Sequence, residues 1–260
     1  MEFIFPFTKS ILVIFSFISI IEYTKSQCKK AGFHTLKQQY YWTLPATFVY
    51  SILIFLILYL LDKNSFDELI YLFTLKSLWS LLIIISYTIL TIFSLYLGKF
   101  YFIYVEYDVI DLEFNFLFFI QKLYAPFIEE FLYRGVLISF KVVDNLFYNG
   151  IISSILFGLS HLRHLFDDYS DVYNSKEQIY FQVGFTTLFG IICSCFLSIT
   201  GSIYSCITAH ILCNILGLPR IFKIETKENE RGKIIYLLGI IMFITFLLVG
   251  CIMRLYNIVI

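Results

Sequence analysis

The sequence predicts an all-α fold, a polytopic membrane helix bundle of about eight transmembrane helices. Composition is the first reason: of 260 residues, 59% are hydrophobic and 15% charged. Soluble domains hold about 45–50% apolar residues, glycine included, and about 25% charged ones. The second is a mean hydropathy of +0.82. The third is that apolar residues run in blocks near the roughly 20 that a helix needs to cross about 30 Å of hydrocarbon. A water-soluble globule is excluded. So is disorder, since 30 Phe and 20 Tyr give the chain ample surface to collapse on. The 19 basic and 19 acidic residues cancel, so no net field draws the chain to nucleic acid. The expected surroundings are the lipid bilayer, with no nucleic-acid partner.

Taken in order, the spans fall near residues 3–21, 42–61, 77–97, 116–140, 149–162, 178–198, 201–218 and 234–257. The first competes with a signal peptide, but Glu2 stands where a basic leader belongs, Lys9 lies inside, and no small-residue cleavage pattern follows. The fifth is short, and the sixth and seventh meet at a tight Thr200-Gly201-Ser202 turn. No repeat, Pro-rich linker or low-complexity tract divides the chain, so residues 1–260 are expected to form a single integral membrane domain with a motif-bearing core at about 116–220. Cys193, Cys195, Cys206, Cys213 and Cys251 sit in apolar runs and Cys28 does not. That placement suits buried hydrophobes rather than disulfides. Cys193 and Cys195 lack a second pair at zinc-ligand spacing.

Basic residues in loops set orientation. The loops at 22–41, 98–115, 163–177 and 219–233 hold 12 of the 19, while Lys9, Lys63, Lys76, Lys141 and Arg254 lie on the other side. The first set is therefore expected on the cytosolic side. The loop 98–115 contributes little, being acidic through Glu106, Asp108, Asp111 and Glu113.

The informative residues are the ionisable ones inside spans, because a charged side chain at mid-bilayer costs at least about 2.5–3.5 kcal/mol and so faces protein or a wet cavity. The fourth span reads Ala125-Pro126-Phe127-Ile128-Glu129-Glu130-Phe131-Leu132-Tyr133-Arg134-Gly135. On a regular helix, Glu130 and Arg134 at i, i+4 share a face and Glu129 does not. The expected pair neutralises Glu130, so Glu129 keeps a carboxylate without that counter-charge, suited to accept a proton as general base. A purely structural Glu-Arg network is the alternative. His161 closes Phe157-Gly158-Leu159-Ser160-His161, and His164 follows one turn later, expected to be structural or substrate-contacting. His210 and Asn214 stand at i, i+4 in the seventh span, where they either pair with each other or share a partner.

Glu, His, His and Asn have a joint chemical sense. A Glu and a His polarise a water for attack on a carbonyl. A second His and an Asn carboxamide donate to the oxyanion, each donor worth about 2.7–4 kcal/mol. Serine chemistry fits less well, since Ser160 adjoins His161 without a Gly-x-Ser-x-Gly elbow. Cys206 and Cys213 are weak nucleophile candidates, Cys213 pointing off the His210 face. Glu129, His161 and His210 also make a three-ligand zinc set, without a His-Glu-x-x-His helix.

Glu129-Glu130-x-x-x-Arg134, Phe157-x-x-x-His161 and His210-x-x-x-Asn214, in that order inside spans, resemble the CAAX prenyl protease 2 family. These are the Ras-converting endopeptidases of the glutamic intramembrane protease group. Ala125-Pro126, Phe157-Gly158, Thr200-Gly201 and Gly217-Leu218-Pro219 add to the likeness, which covers about 120–220. The resemblance implies an endoplasmic-reticulum membrane enzyme of eight helices, open to the cytosolic side, that removes the last three residues of prenylated CAAX proteins such as Ras-like GTPases. It implies Glu129 as general base with His161, His210 and Asn214 at the oxyanion, and Glu130 with Arg134 holding the site together. No metal or other cofactor is implied. Arg163 stands where relatives often carry a second histidine, and Ser160 where they carry Ala, differences expected to bear on substrate contacts. The rival readings are a non-enzymatic scaffold or transporter, in which buried Glu, His and Arg serve as glue or proton relay, and a related intramembrane protease with other substrates.

Overall fold

The computed structural model describes residues 4–33, 36–106, 114–166, 176–217 and 230–256. Asp108, Asp111, Glu113, Leu218 and Pro219, with Arg220, Lys223 and Lys227 of the basic loop, lie outside the described residues. Within them the chain is all-α, with no strand. Among the described residues, five helices are long and apolar enough to cross a membrane: α1 (Ile4–Lys30), α2 (Leu36–Leu61, through its segment Tyr41–Leu61), α4 (Leu78–Leu95), α10 (Lys176–Thr200) and α12 (Glu230–Leu255, through Arg231–Leu255). Their outer faces leave Leu12, Phe15, Leu53 and Leu60 exposed, side chains that hydrocarbon accommodates and water does not. The remaining three expected spans are also helical, but shorter or compound: α9 (Leu146–Ser160), α11 (Ile203–Leu216) and an interrupted run over 116–139.

Two helices occupy stretches expected as loops. One, α3 (Lys63–Phe73), is too short and polar to read as a span. It is started by the Asp62 carboxylate, which accepts from the Ser65 N–H, and buries Leu69 and Leu72 on one side. The other, α5 (Leu97–Glu106), follows α4 after a break at Tyr96, whose N–H turns back to the Phe93 carbonyl. At the start of α4, Ser77 and Ser80 form a reciprocal capping box.

The chain divides into two compact units, Met1–Thr74 with Phe127–Ser198, and Leu75–Pro126 with Ile199–Ile260. In the first, α1 packs on α2, α2 on α3, and α9 on the helical turns around Arg134. Lys9 reaches Asp62 at 2.5 Å, and Lys141 pairs with Glu68. In the second, α4 lies against both α11 and α12, and α12 also against α5.

Candidate active site

The polar motif of the fourth expected span sits on helix of uneven winding. From Phe116 the run passes through α6 (Phe116–Phe119), a π-helical turn at Ile120–Tyr124, α7 (Ala125–Glu130), a second π turn at Phe131–Val136 and α8 (Leu137–Ser139). The N–H of Ala125 bonds the Ile120 carbonyl and that of Leu137 bonds Leu132, each skipping one residue more than an α-helix does. Such π turns recur at functional sites because they rotate side chains off the regular face and leave carbonyls open to other donors. Glu129 and Glu130 lie between the two π turns, and Arg134 lies inside the second.

In the first unit, Arg134 Nη1 meets Glu130 Oε1 at 3.2 Å, with neither side chain exposed at all. The regular-helix argument placed these two on one face, and the pair forms although the intervening turn is π rather than α. The two opposite charges are paired in the same buried turn, and removing one from such a pair typically costs about 3–5 kcal/mol. The Arg134 guanidinium also stacks over the Phe157 ring, 4.8 Å from its centroid, and the Tyr133 ring packs on the same phenylalanine. The Sγ of Cys193 on α10 lies within 4.8 Å of a Glu130 carboxylate oxygen. Glu129 is half-buried, one turn before Tyr133.

Phe157 organises His161 as well. At the end of α9 the helix tightens into a 3₁₀ turn over His161–Phe166, so the His161 N–H bonds Gly158 and Leu159 instead of Phe157. The Phe157 carbonyl, released from that bond, accepts from Ser160 Oγ at 2.7 Å and from His161 Nδ1 at 3.0 Å. A carbonyl only accepts, so Nδ1 carries the hydrogen, and in the neutral imidazole Nε2 holds the lone pair. The imidazole also stands edge-on to the Phe157 ring at 5.1 Å. His161 is thus a half-buried base of fixed tautomer. Ser160 is buried and donates into the helix, and the His164 ring lies 6.0 Å from that of His161.

Small residues let α9 and α10 approach closely. Gly150, Ser154 and Gly158 recur every fourth residue along α9, the spacing that aligns small side chains on one helix face. Ser154 Oγ and Ser194 Oγ meet at 3.1 Å. A Cβ at Gly190 would fall 2.6 Å from Arg134 Nη2 and 2.8 Å from Ser154 Cβ, so the absence of a side chain there is what admits the guanidinium. A Cβ at Gly158 would collide with the Thr187 hydroxyl and come within 2.8 Å of the Val183 carbonyl. From α9, Ser153 donates to the Tyr133 carbonyl inside the π turn.

In the second unit, His210 is buried on α11 and Asn214 stands one turn further on. Asn214 Nδ2 donates to the Gln121 carbonyl at 3.2 Å. That acceptor exists for a covalent reason: five residues after Gln121, the π-helical partner position, comes Pro126, which has no N–H to give. The last carbonyls of α11 are met by side-chain donors, Lys122 Nζ on Asn214 at 2.6 Å, Lys99 Nζ on Leu216, and Tyr96 Oη on Gly217 at 2.5 Å. Gly217 ends the helix at φ 69°, ψ −165°, a conformation essentially confined to glycine.

Of the expected site residues, Glu129, Glu130, Arg134 and His161 therefore belong to the first unit, and His210 and Asn214 to the second. Phe157, Gly190, Pro126 and Lys122 gain structural roles that spacing alone did not assign. The small-residue spacing of α9 and the missing N–H of Pro126 were the available signals.

Comparison with known proteins bears out the resemblance read from the motifs. Residues 111–216 match the family model described as Type II CAAX prenyl endopeptidase Rce1-like. Over 110 residues, 37% of this chain, the sequence is 31% identical to CAAX prenyl protease 2 of Saccharomyces cerevisiae. It is 28% identical over 135 residues, 47% of the chain, to CAAX prenyl protease 2 of Arabidopsis thaliana. The matches span 34% and 40% of those relatives' lengths. No solved structure matches.

Proposed function

We propose that the chain is an intramembrane endopeptidase that removes the C-terminal tripeptide from prenylated CAAX proteins, Ras-like GTPases among them. The observation that carries this reading is the occurrence of Glu129, His161, His210 and Asn214, in or at the end of helices, within the segment that matches the prenyl endopeptidase family. Glu129 takes a proton from water as its oxygen attacks the scissile carbonyl, with His161 Nε2 accepting from the same water. His210 and the second Asn214 N–H, the one not given to Gln121, donate to the oxyanion. The C–N bond then breaks and the tripeptide leaves as an amine protonated by the same acid-base pair. Glu130 and Arg134 fix the helix that carries Glu129.

The prenyl group supplies apolar binding energy remote from the scissile bond, and the substrate tail arrives from the cytosolic side of the endoplasmic-reticulum membrane. The test is release of a tripeptide, read by mass spectrometry, from a farnesylated CAAX peptide and from its unprenylated counterpart. The wild-type chain should cleave the former preferentially, and Glu129→Gln should lower kcat by about 10²–10⁴. Equal turnover by wild type and Glu129→Gln rejects the mechanism, and no turnover by wild type favours the scaffold or transporter reading. No step is routed through a metal, so chelation should leave activity intact. Loss on chelation with recovery on zinc addition would replace this mechanism with zinc hydrolysis.

A further inference from the structure

We propose that Lys122 and Lys99, at the C-terminal end of α11, bind the free carboxylate of the substrate's last residue and so set the cut three residues from the chain end. The inference rests on the endopeptidase reading above and lies within the second unit. An enzyme that always removes three residues needs a feature that measures from the terminus, and the one charge every such substrate carries there is its α-carboxylate. A helix C-terminus by itself repels an anion, because its last carbonyls point outward with partial negative charge. Here those carbonyls are covered: Lys122 donates to Asn214 at 2.6 Å, Lys99 to Leu216, and Tyr96 to Gly217 at 2.5 Å. Two ammonium groups thus stand where the helix end would otherwise be negative. Each ammonium has three N–H donors, and Lys122 gives one of them to Asn214.

Lys122 lies inside the expected fourth span, where an ionisable side chain commonly serves a site or pathway as well as a neighbouring helix. Spacing supports the assignment. Lys122 is anchored at Asn214, four residues beyond His210, and Lys99 at Leu216, six beyond it. These are rises of about 6 and 9 Å along an α-helix, and three extended residues span at most about 10–11 Å. A tripeptide laid along α11 with its scissile carbonyl at His210 therefore passes Lys122 and brings its carboxylate within reach of Lys99.

The experiment compares a farnesylated CAAX peptide ending in the free acid with the same peptide ending in a carboxamide, using the full chain in detergent. Wild type should favour the acid in kcat/KM by at least about tenfold, mostly through KM, as expected for a hydrogen bond to a charged group. Lys122→Met and Lys99→Met should each shrink that acid-over-amide ratio, and Lys122→Arg should keep it. Equal cleavage of both peptides by wild type overturns the inference while leaving the endopeptidase reading standing, and needs no variant to fold. A ratio unchanged in both Met variants, with rates falling alike on the two peptides, assigns the lysines to helix capping only and also overturns it. If wild type releases no tripeptide from either peptide, the endopeptidase reading falls and this inference with it.

Discussion

Arg134 and Glu130 are sealed in the first unit, both fully buried, wedged against a glycine of α10 that has no room for a methyl group. In the second unit Asn214 is half-exposed and held by a neutral hydrogen bond to the Gln121 carbonyl, while its own carbonyl is held by Lys122. One half of the proposed machinery is fixed by packing around a buried ion pair, the other by donors placed on open backbone carbonyls. Damage to the first should appear as lost stability, and damage to the second as lost rate in a protein that still folds.

The largest effect that would test this contrast is Arg134→Met. It leaves the Glu130 carboxylate buried beside an apolar side chain, and should cost about 3–5 kcal/mol. Denaturant unfolding in detergent reads this, and Glu130→Gln combined with Arg134→Met should recover a large part of the loss. Equal stability of wild type and the single variant would remove the ion pair from its structural role. Next comes Asn214→Ala, expected to lower kcat by about 10²–10³ with the unfolding midpoint nearly unchanged. A comparable loss of stability instead would make Asn214 a structural residue like Arg134.

Gly190→Ala sharpens the same comparison from the packing side. Its Cβ would stand 2.6 Å from Arg134 Nη2, and overpacking of this kind typically costs about 1–3 kcal/mol. Rates measured on the folded fraction should fall far less than in Asn214→Ala, which a paired activity and unfolding measurement can check. The smallest effect is expected at Pro126→Ala. Restoring an N–H lets the backbone compete for the Gln121 carbonyl, so kcat should fall by up to about tenfold, near the worth of one neutral hydrogen bond, while stability holds or rises. A variant that loses stability and keeps its rate would show that the proline does not position Asn214.

Much of the helical scaffold is legible in composition, because continuous apolar blocks of about 20 residues satisfy their backbone in lipid as helices. Among the described residues, each apolar block falls largely on helix. The two helices that were missed have different causes. In α3 (Lys63–Phe73) polar residues on the outer side dilute the hydropathy, and α5 (Leu97–Glu106) is separated from α4 only by the single non-helical residue Tyr96. The pairing of Glu130 with Arg134 was readable from spacing, since i, i+4 neighbours remain close even when one turn widens. The tautomer of His161 was not, because it depends on the helix tightening at its end and freeing the Phe157 carbonyl.

The sequence by itself determined that this chain is helical and membrane-embedded, and that its exceptional residues are Glu129, Glu130, Arg134, His161, His210 and Asn214. Those follow from counting, since charge and apolar length are properties of the chain. Tertiary structure alone decided their distant neighbours: Arg134 beside Gly190 and Phe157, and Asn214 on the Gln121 carbonyl. The physical reason is that the distant side chain that meets a given carbonyl or guanidinium is brought there by packing between helices far apart in the sequence, which no local pattern encodes.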